Sequence, residues 1–301
     1  MKRDLLAERI GQSIAQATGI GFAPLSRAPV SDGCIHAAFR LDGRAGAVAR
    51  SYFVKVNEAR KAPLFAAEAE GLAALARVGA LRVPGVVAQG VERDHAWLVL
   101  EWLELAMLDP SAAAGLGIAL ATQHRAPQAR YGWERDNFIG GSSQPNGWSD
   151  DWLEFWRHRR LAHQLRLAAH NRLPSKLIDQ GERLAADCDA FFRNYEVARS
   201  LLHGDLWGGN AAQVAGAGAV VFDPAVYVGD READMAMTEL FGGFPADFRA
   251  AYREAWPLAD GYRVRRDLYN LYHVLNHANL FAGDYVRKAV QAVERLLAEL
   301  G

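Results

Sequence analysis

Cysteine is scarce. Cys34 and Cys188 are the whole complement in 301 residues. Two are too few for a disulfide framework, and no C-x-x-C spacing offers a structural zinc site. This usage fits a reducing compartment. Net charge is also small, −1, and no run of five or more like charges occurs. Nothing in that pattern advertises nucleic acid or anionic membrane as a partner. No apolar run reaches the roughly 18 residues that a membrane span needs. The first 17 residues carry charge throughout, with Leu5, Leu6, Ile10 and Ile14 on amphipathic helical spacing, unlike a signal peptide. A cytoplasmic protein is expected. Lysine is rare too, at five of 34 basic residues: Lys2, Lys55, Lys61, Lys176 and Lys288. Positive charge is written as arginine by default, so a lysine inside an apolar strand needs a reason.

What is present reads as a strand-rich first third followed by helices. The cluster 29–33 is a turn, and 34–41 a strand, with Asp42-Gly43 suited to a hairpin turn. The β-rich run 51–56 follows, then a helical period over 64–78, then strands at 86–91 and 96–100 around a turn at 92–95. Helices are expected at 112–125, at 151–169 with Ser149 or Asp150 as cap, and at 174–195, 232–241, 263–281 and 286–300. Short strands at 211–214 and 219–222 flank a Gly-Ala turn. A break at 102–109 divides a first unit, 1–103, from a helical second unit, 104–301. The fold class expected is α+β and bilobal, with an antiparallel sheet in the first lobe.

The strongest local signal is His203-Gly204-Asp205-Leu206-Trp207-Gly208-Gly209-Asn210, with the apolar strand Val220-Val221-Phe222 ending in Asp223-Pro224. The order H-x-D, then Asn, then a strand-terminal Asp is that of phosphoryl-transfer enzymes with a kinase fold. The chemistry explains the residue types. A carboxylate must accept the proton of the attacking hydroxyl, and Asp205 fits. Mg²⁺ prefers hard oxygen ligands, and Asn210 and Asp223 supply them.

A kinase must also hold ATP. Lys55 sits mid-strand, with Phe53 on its own face and Val54 and Val56 on the other. Glu68 lies on the apolar face of the next helix with Leu64, Leu72 and Leu75. Each charge is costly alone, so the two are expected to pair, with Lys55 reaching the phosphates. Glu70 falls on the polar side. Backbone amides of Ser31, Asp32, Gly33 and Cys34 are the candidate phosphate loop, although one glycine makes a weak motif and a plain hairpin turn would look the same. Walker A is absent. Glu101, Trp102 and Leu103, where an apolar strand turns acidic, suit an adenine-binding connector through the Glu101 carbonyl and Leu103 amide.

These residues resemble the fructosamine kinase family, also called ketosamine or ribulosamine 3-kinases. The similarity runs from about Ser31 to about Tyr285. Its most specific parts are the 203–210 and 223–227 motifs and the segment Gly229-Asp230-Arg231-Glu232 onward to Phe244. Stretches 132–148 and 271–277 are similar as well. The resemblance implies ATP-dependent phosphorylation of the 3-hydroxyl of a ketosamine, free or protein-bound. Decay of the product would then free the amine, a deglycation repair. Ribulosamines and erythrulosamines are implied ahead of fructosamines. Another small acceptor (an aminoglycoside or amino alcohol) or a non-catalytic nucleotide-binding module stays open, as does a monomer or a dimer. Trp207 could stack on the sugar, and Asn137, Gln144 and Trp148 could line the acceptor pocket, though turn packing explains the last three equally well. Asp230, Arg231, Glu232 and Asp234 are expected to form a buried network under the metal loop. Family members often carry cysteine at the position of Cys34, which raises a redox switch by intermolecular disulfide.

Overall fold

The computed structural model describes residues 4–30 and 36–300. Asp4 opens α1 (Leu5–Thr18) by accepting the Ala7 amide at 3.2 Å, and Gly19, in the left-handed region, ends it. Next come β1 (Phe22–Pro29), β2 (Ala37–Ala45), β3 (Val48–Glu58), α2 (Ala62–Val78), β4 (Val86–Glu92) and β5 (His95–Glu101). The strands form an antiparallel sheet in the order β1-β2-β3-β5-β4. Alternation along β3 splits its faces. Val54 and Val56 join Ile10 and Ile14 of α1 in one core, and Phe53 packs with Phe65 and Leu72 of α2 in another. Lys55 therefore lies on the α2 side, as its spacing predicts.

Two expectations fail here. Asp42-Gly43 is not the hairpin turn; Asp42 pairs with Ser51 inside the ladder, and the turn is Gly46-Ala47. Gly43 is in the strand for another reason. A Cβ there would come within 2.4 Å of the Phe22 ring and 2.5 Å of the Ala23 carbonyl, so glycine lets β1 close over β2. The second is Pro29, expected in the turn at 29–33, which instead ends strand β1. β1 is an edge strand with an irregularity between Pro24 and Ser26, where proline is tolerated.

After Glu101 the chain passes through Trp102 and Leu103 into the two-residue β6 (Leu105–Ala106) and then α3 (Pro110–Arg125), capped by Asp109. A small hairpin follows, β7 (Asn137–Ile139) and β8 (Ser142–Gln144). Next is one helical rod, α4 (Trp152–Phe155) and α5 (Ala162–His170), joined through a π-helical turn at Trp156–Leu161. Its cap is Asp151, accepting the Glu154 amide at 3.0 Å, and not Ser149 or Asp150. Ser149 instead braces the entry by bonding to the Asp151 backbone, and Asp150 pairs with Arg130. Helix α6 (Ser175–Asp187) stops earlier than expected and gives way to a 3₁₀ turn at Cys188–Phe192.

The catalytic-type motif hangs on β9 (Ser200–Leu202), β10 (Ala211–Val214), β11 (Gly218–Val221) and β12 (Tyr227–Gly229). β9 pairs with β12, and β10 lies between β11 and β6. The remaining helices are α7 (Arg231–Leu240), α8 (Ala246–Ala255), α9 (Tyr262–Phe281) and α10 (Asp284–Ala298). The 20-residue α9 runs through the larger core, which takes Leu268, Tyr269, Leu271, Tyr272 and Leu275 from it. Among the described residues, no helix is long and apolar enough to cross a membrane.

Candidate active site

Two short strands carry the site. β9 delivers His203 and Asp205, and β11 delivers Asp223. Backbone hydrogen bonds lock the two segments together: Ala225 N–H to the His203 carbonyl at 2.8 Å, and Phe222 N–H to the Asn210 carbonyl at 3.1 Å. Gly204 makes this approach possible. Its φ is +82°, and a Cβ there would lie 2.0 Å from the Ala225 carbonyl oxygen, so no other residue fits.

His203 is buried and structural. Its Nε2 meets the Phe222 carbonyl at 3.0 Å and its Nδ1 accepts the Asp205 amide at 3.3 Å. Burial lowers its pKa, which suits a neutral imidazole that donates from Nε2. Below the loop lies Asp234 of α7. Its carboxylate accepts the His203 amide at 2.7 Å and the Gly204 amide at 2.9 Å, and its Oδ2 sits 3.1 Å from His124 Nε2. Burial pushes the Asp234 carboxyl up, but the bond to His124, the neighbouring histidines and the Gly204 amide outweigh burial and leave it lowered. Asp230, Arg231 and Glu232 are buried beside it. Glu232 holds Arg265 in a two-pronged pair at 2.7 and 3.1 Å, and Asp230 accepts the Tyr195 and Tyr269 hydroxyls at 2.9 and 2.6 Å. The segment is thus a polar foundation under the loop.

From the first lobe, Lys55 Nζ lies 2.8 Å from Glu68 Oε1 and 2.5 Å from Asp223 Oδ1. Burial works against the ammonium, but Asp223 and Glu68 outweigh it and raise the Lys55 pKa. Burial pushes the Glu68 carboxyl upward, against the pull of Lys55. Asp223 has φ +57°, an uncommon conformation for a non-glycine residue. Asn210 donates Nδ2 to the Asp205 carbonyl at 2.9 Å, which leaves its Oδ1 as the atom suited to a cation. Burial and then the like charge of Asp223 push the Asp205 carboxyl up to about 7. His36 is a further neighbour that motif reading passed over. It meets Asn57 at 2.8 Å, and burial followed by the Lys55 charge lowers its pKa to about 4.

The other expected residues fall as follows. Ser31, Asp32, Gly33 and Cys34 lie outside the described residues. Glu101 turns its carboxylate back to the Gly85 amide at 3.2 Å. Trp102 donates to Glu104 at 2.7 Å under the Arg40 guanidinium, and Leu103 follows in the connector. Asn137 and Gln144 are buried, and their amides bind the chain just past Asp223. Asn137 donates to the Val226 carbonyl at 2.7 Å, and Gln144 to the Ala225 carbonyl at 3.1 Å and to Asn137 at 2.8 Å. Both therefore support the Asp223 loop from behind. Trp207 and Trp148 are exposed. Glu70, on the polar side of α2, is engaged too. It accepts from Trp133 Nε1 at 3.1 Å and pairs with Arg135 at 2.5 Å.

Comparison with known proteins agrees with this geometry. A family model described as fructosamine kinase matches residues 6–299. A Synechocystis protein assigned as a ketoamine kinase is 41% identical over 296 residues, covering 96% of each chain. The chloroplastic protein-ribulosamine 3-kinase of Arabidopsis thaliana is 37% identical over 90% of this chain and 82% of its own. A crystal structure of a Haemophilus somnus protein assigned as a fructosamine-3-kinase superposes with a TM-score of 0.87 at 30% identity, covering 96% of each chain. An aminoglycoside phosphotransferase shares the fold alone, with a TM-score of 0.62 at 13% identity over 99% of both chains. With a kinase-type loop, a lysine–glutamate pair and a strand-terminal aspartate brought together, this chain belongs to the fructosamine kinase family and is a phosphotransferase of protein-kinase-like fold.

Proposed function

We propose that the protein transfers the γ-phosphoryl group of ATP to the 3-hydroxyl of a ketosamine, the Amadori adduct of a sugar and an amine. The phosphorylated adduct then decomposes and frees the amine, so the reaction is a deglycation. A ribulosamine is the favoured substrate. The observation that carries this reading is the meeting of Lys55, Glu68 and Asp223 beside the Asp205–Asn210 loop, in a chain similar to a protein-ribulosamine 3-kinase.

Residues 1–103 form the nucleotide side and 104–301 the acceptor side. The backbone at Glu101 and Leu103 receives adenine, and Lys55 orients the phosphates while Glu68 holds it in place. Asp205 aims the 3-hydroxyl and takes its proton as the new O–P bond forms. The bond from the γ-phosphorus to the bridging oxygen then breaks and ADP leaves. A carboxyl titrating near neutrality is matched to that task. Asn210 Oδ1 and the Asp223 carboxylate are the hard oxygen donors that fit Mg²⁺. When bound, Mg²⁺ neutralises triphosphate charge.

The test is mass spectrometry of a ribulose-modified lysine peptide after incubation with Mg-ATP. Gain of one phosphoryl group on the adduct, followed by recovery of unmodified lysine, is expected. Phosphorylation of an aminoglycoside or amino alcohol, with the adduct untouched, would overturn the assignment.

A further inference from the structure

A row of aromatic rings starts at the catalytic loop and has no part in nucleotide chemistry. Leu206 is fully buried in the core, whereas Trp207, two residues from Asp205, reaches the surface. The Trp207 indole is 40% exposed and lies on bare backbone. A Cβ on Gly209 would come within 2.3 Å of that ring. Phe241 stands edge-on to Trp207 at 6.2 Å, and His277 follows at 5.0 Å from Phe241. Phe281 and Tyr285 then lie 5.6 and 4.9 Å from His277. Phe241 and Phe281 are 38% and 54% exposed.

The row is anchored to the loop. Phe241 precedes Gly242-Gly243, whose φ values are +72° and +96°. A Cβ on Gly208 would meet the Gly242 carbonyl and Gly243 Cα, each at 2.8 Å. Glycine on both sides thus brings the Phe241 segment into contact with the loop that bears the base. The His277 ring is fixed by a 2.8 Å bond from Nδ1 to the His273 carbonyl, and burial lowers its pKa. The charges at the far end are Lys288, 5.1 Å from the Tyr285 ring, and the Asp284–Arg287 pair. No member of the row is a carboxylate, so a second cation on the substrate finds no counter-ion among these rings.

We propose that this row is the subsite for the amine-borne half of the acceptor, and that it takes an uncharged apolar or aromatic substituent on the ketosamine nitrogen. The sugar occupies the Asp205–Trp207 end, and the substituent extends over Phe241 and His277 to Phe281 and Tyr285. This rests on the ketosamine reading of the same site. Successive rings about 5–6 Å apart offer continuous apolar surface to a growing chain.

The experiment is a homologous series of ribulosamines made from methyl-, propyl-, pentyl- and benzylamine, each assayed for kcat/KM with Mg-ATP. The wild-type value is expected to climb by up to about fourfold per added methylene, the gain from burying one such group. Phe281→Ala and Tyr285→Ala are expected to flatten the climb. A flat wild-type series with every adduct phosphorylated overturns the subsite and leaves the ketosamine reading standing. A climb that survives both substitutions also overturns it, because the substituent then binds elsewhere. If no adduct is phosphorylated, both readings fall together.

Discussion

Lys55 and Asp223 meet at 2.5 Å across 168 residues of sequence. The contact joins the sheet of the first lobe to the strand-terminal loop of the second, and it gives one ammonium two carboxylates, Glu68 being the other. Lysine in an arginine-rich chain has a reason here. On the proposed reading, a compact point charge would pass from Asp223 to a triphosphate, whereas a planar guanidinium would be held by its fork geometry.

Lys55→Ala should therefore do two kinds of damage. Glu68 and Asp223 lose their shared cation, and breaking the buried Lys55–Glu68 pair alone costs about 3–5 kcal/mol. Turnover should fall at least about 100-fold through lost phosphate positioning. Thermal melts and steady-state kinetics with varied ATP check this. Stability near wild type would mean that the three charges are independent.

The titration of Asp205 predicts a pH-dependent stability trade. Its folded pKa, pushed to about 7, exceeds the ordinary value near 3.9. The raised value means that ionised Asp205 disfavours the folded state. That penalty is complete above pH 7, shrinks as pH falls and is gone below about 4. Without Mg²⁺ or nucleotide, Asp205→Asn should be the more stable protein at pH 8, by about 2–4 kcal/mol at most, and equal to wild type at pH 4. Urea unfolding at the two pH values reads the difference.

Asp234 touches two loop amides and His124, so Asp234→Ala should leave buried donors unpaired at a cost of about 1–3 kcal/mol each. Loss of kcat should accompany it, while the KM for ATP changes little, because Lys55 and the connector are untouched. A variant with normal kcat would show that the loop keeps its shape unaided.

Trp133→Phe removes the indole N–H that Glu70 accepts at 3.1 Å. That bond fastens α2, which carries Glu68, to the second lobe. The KM for ATP should rise a few-fold with kcat less affected. An unchanged ATP KM would leave the bond without a role in placing α2.

The nucleotide-side pair and the loop were legible because each residue obeys a local rule. Lys55 and Glu68 are charges on otherwise apolar faces, and His203 to Asn210 follows a fixed spacing before a strand-terminal aspartate. What stayed hidden was non-local. Nothing near Asp234 in sequence says that its carboxylate will meet amides 30 and 31 residues upstream. His124 lies farther away still. Glu70 looked solvated because helical periodicity puts it off the apolar face; its partners come from 63 and 65 residues on. Gly43 misled because Asp-Gly is a turn signal, while the true constraint is the Phe22 ring from a neighbouring strand. Asn137 and Gln144 were visible as polar residues in a distinctive segment, but their donors turn inward to the Val226 and Ala225 carbonyls, a direction that sequence spacing does not encode.

The most direct test of the account is the turnover of Asp205→Asn on a ribulose–lysine adduct, with ATP affinity measured calorimetrically on the same preparation. Loss of turnover by about 100- to 10,000-fold, the usual range for a general base, with ATP affinity within a few-fold of wild type, is the predicted result. Turnover at the wild-type rate would contradict the assignment of the base and, with it, the chemistry derived from this cleft.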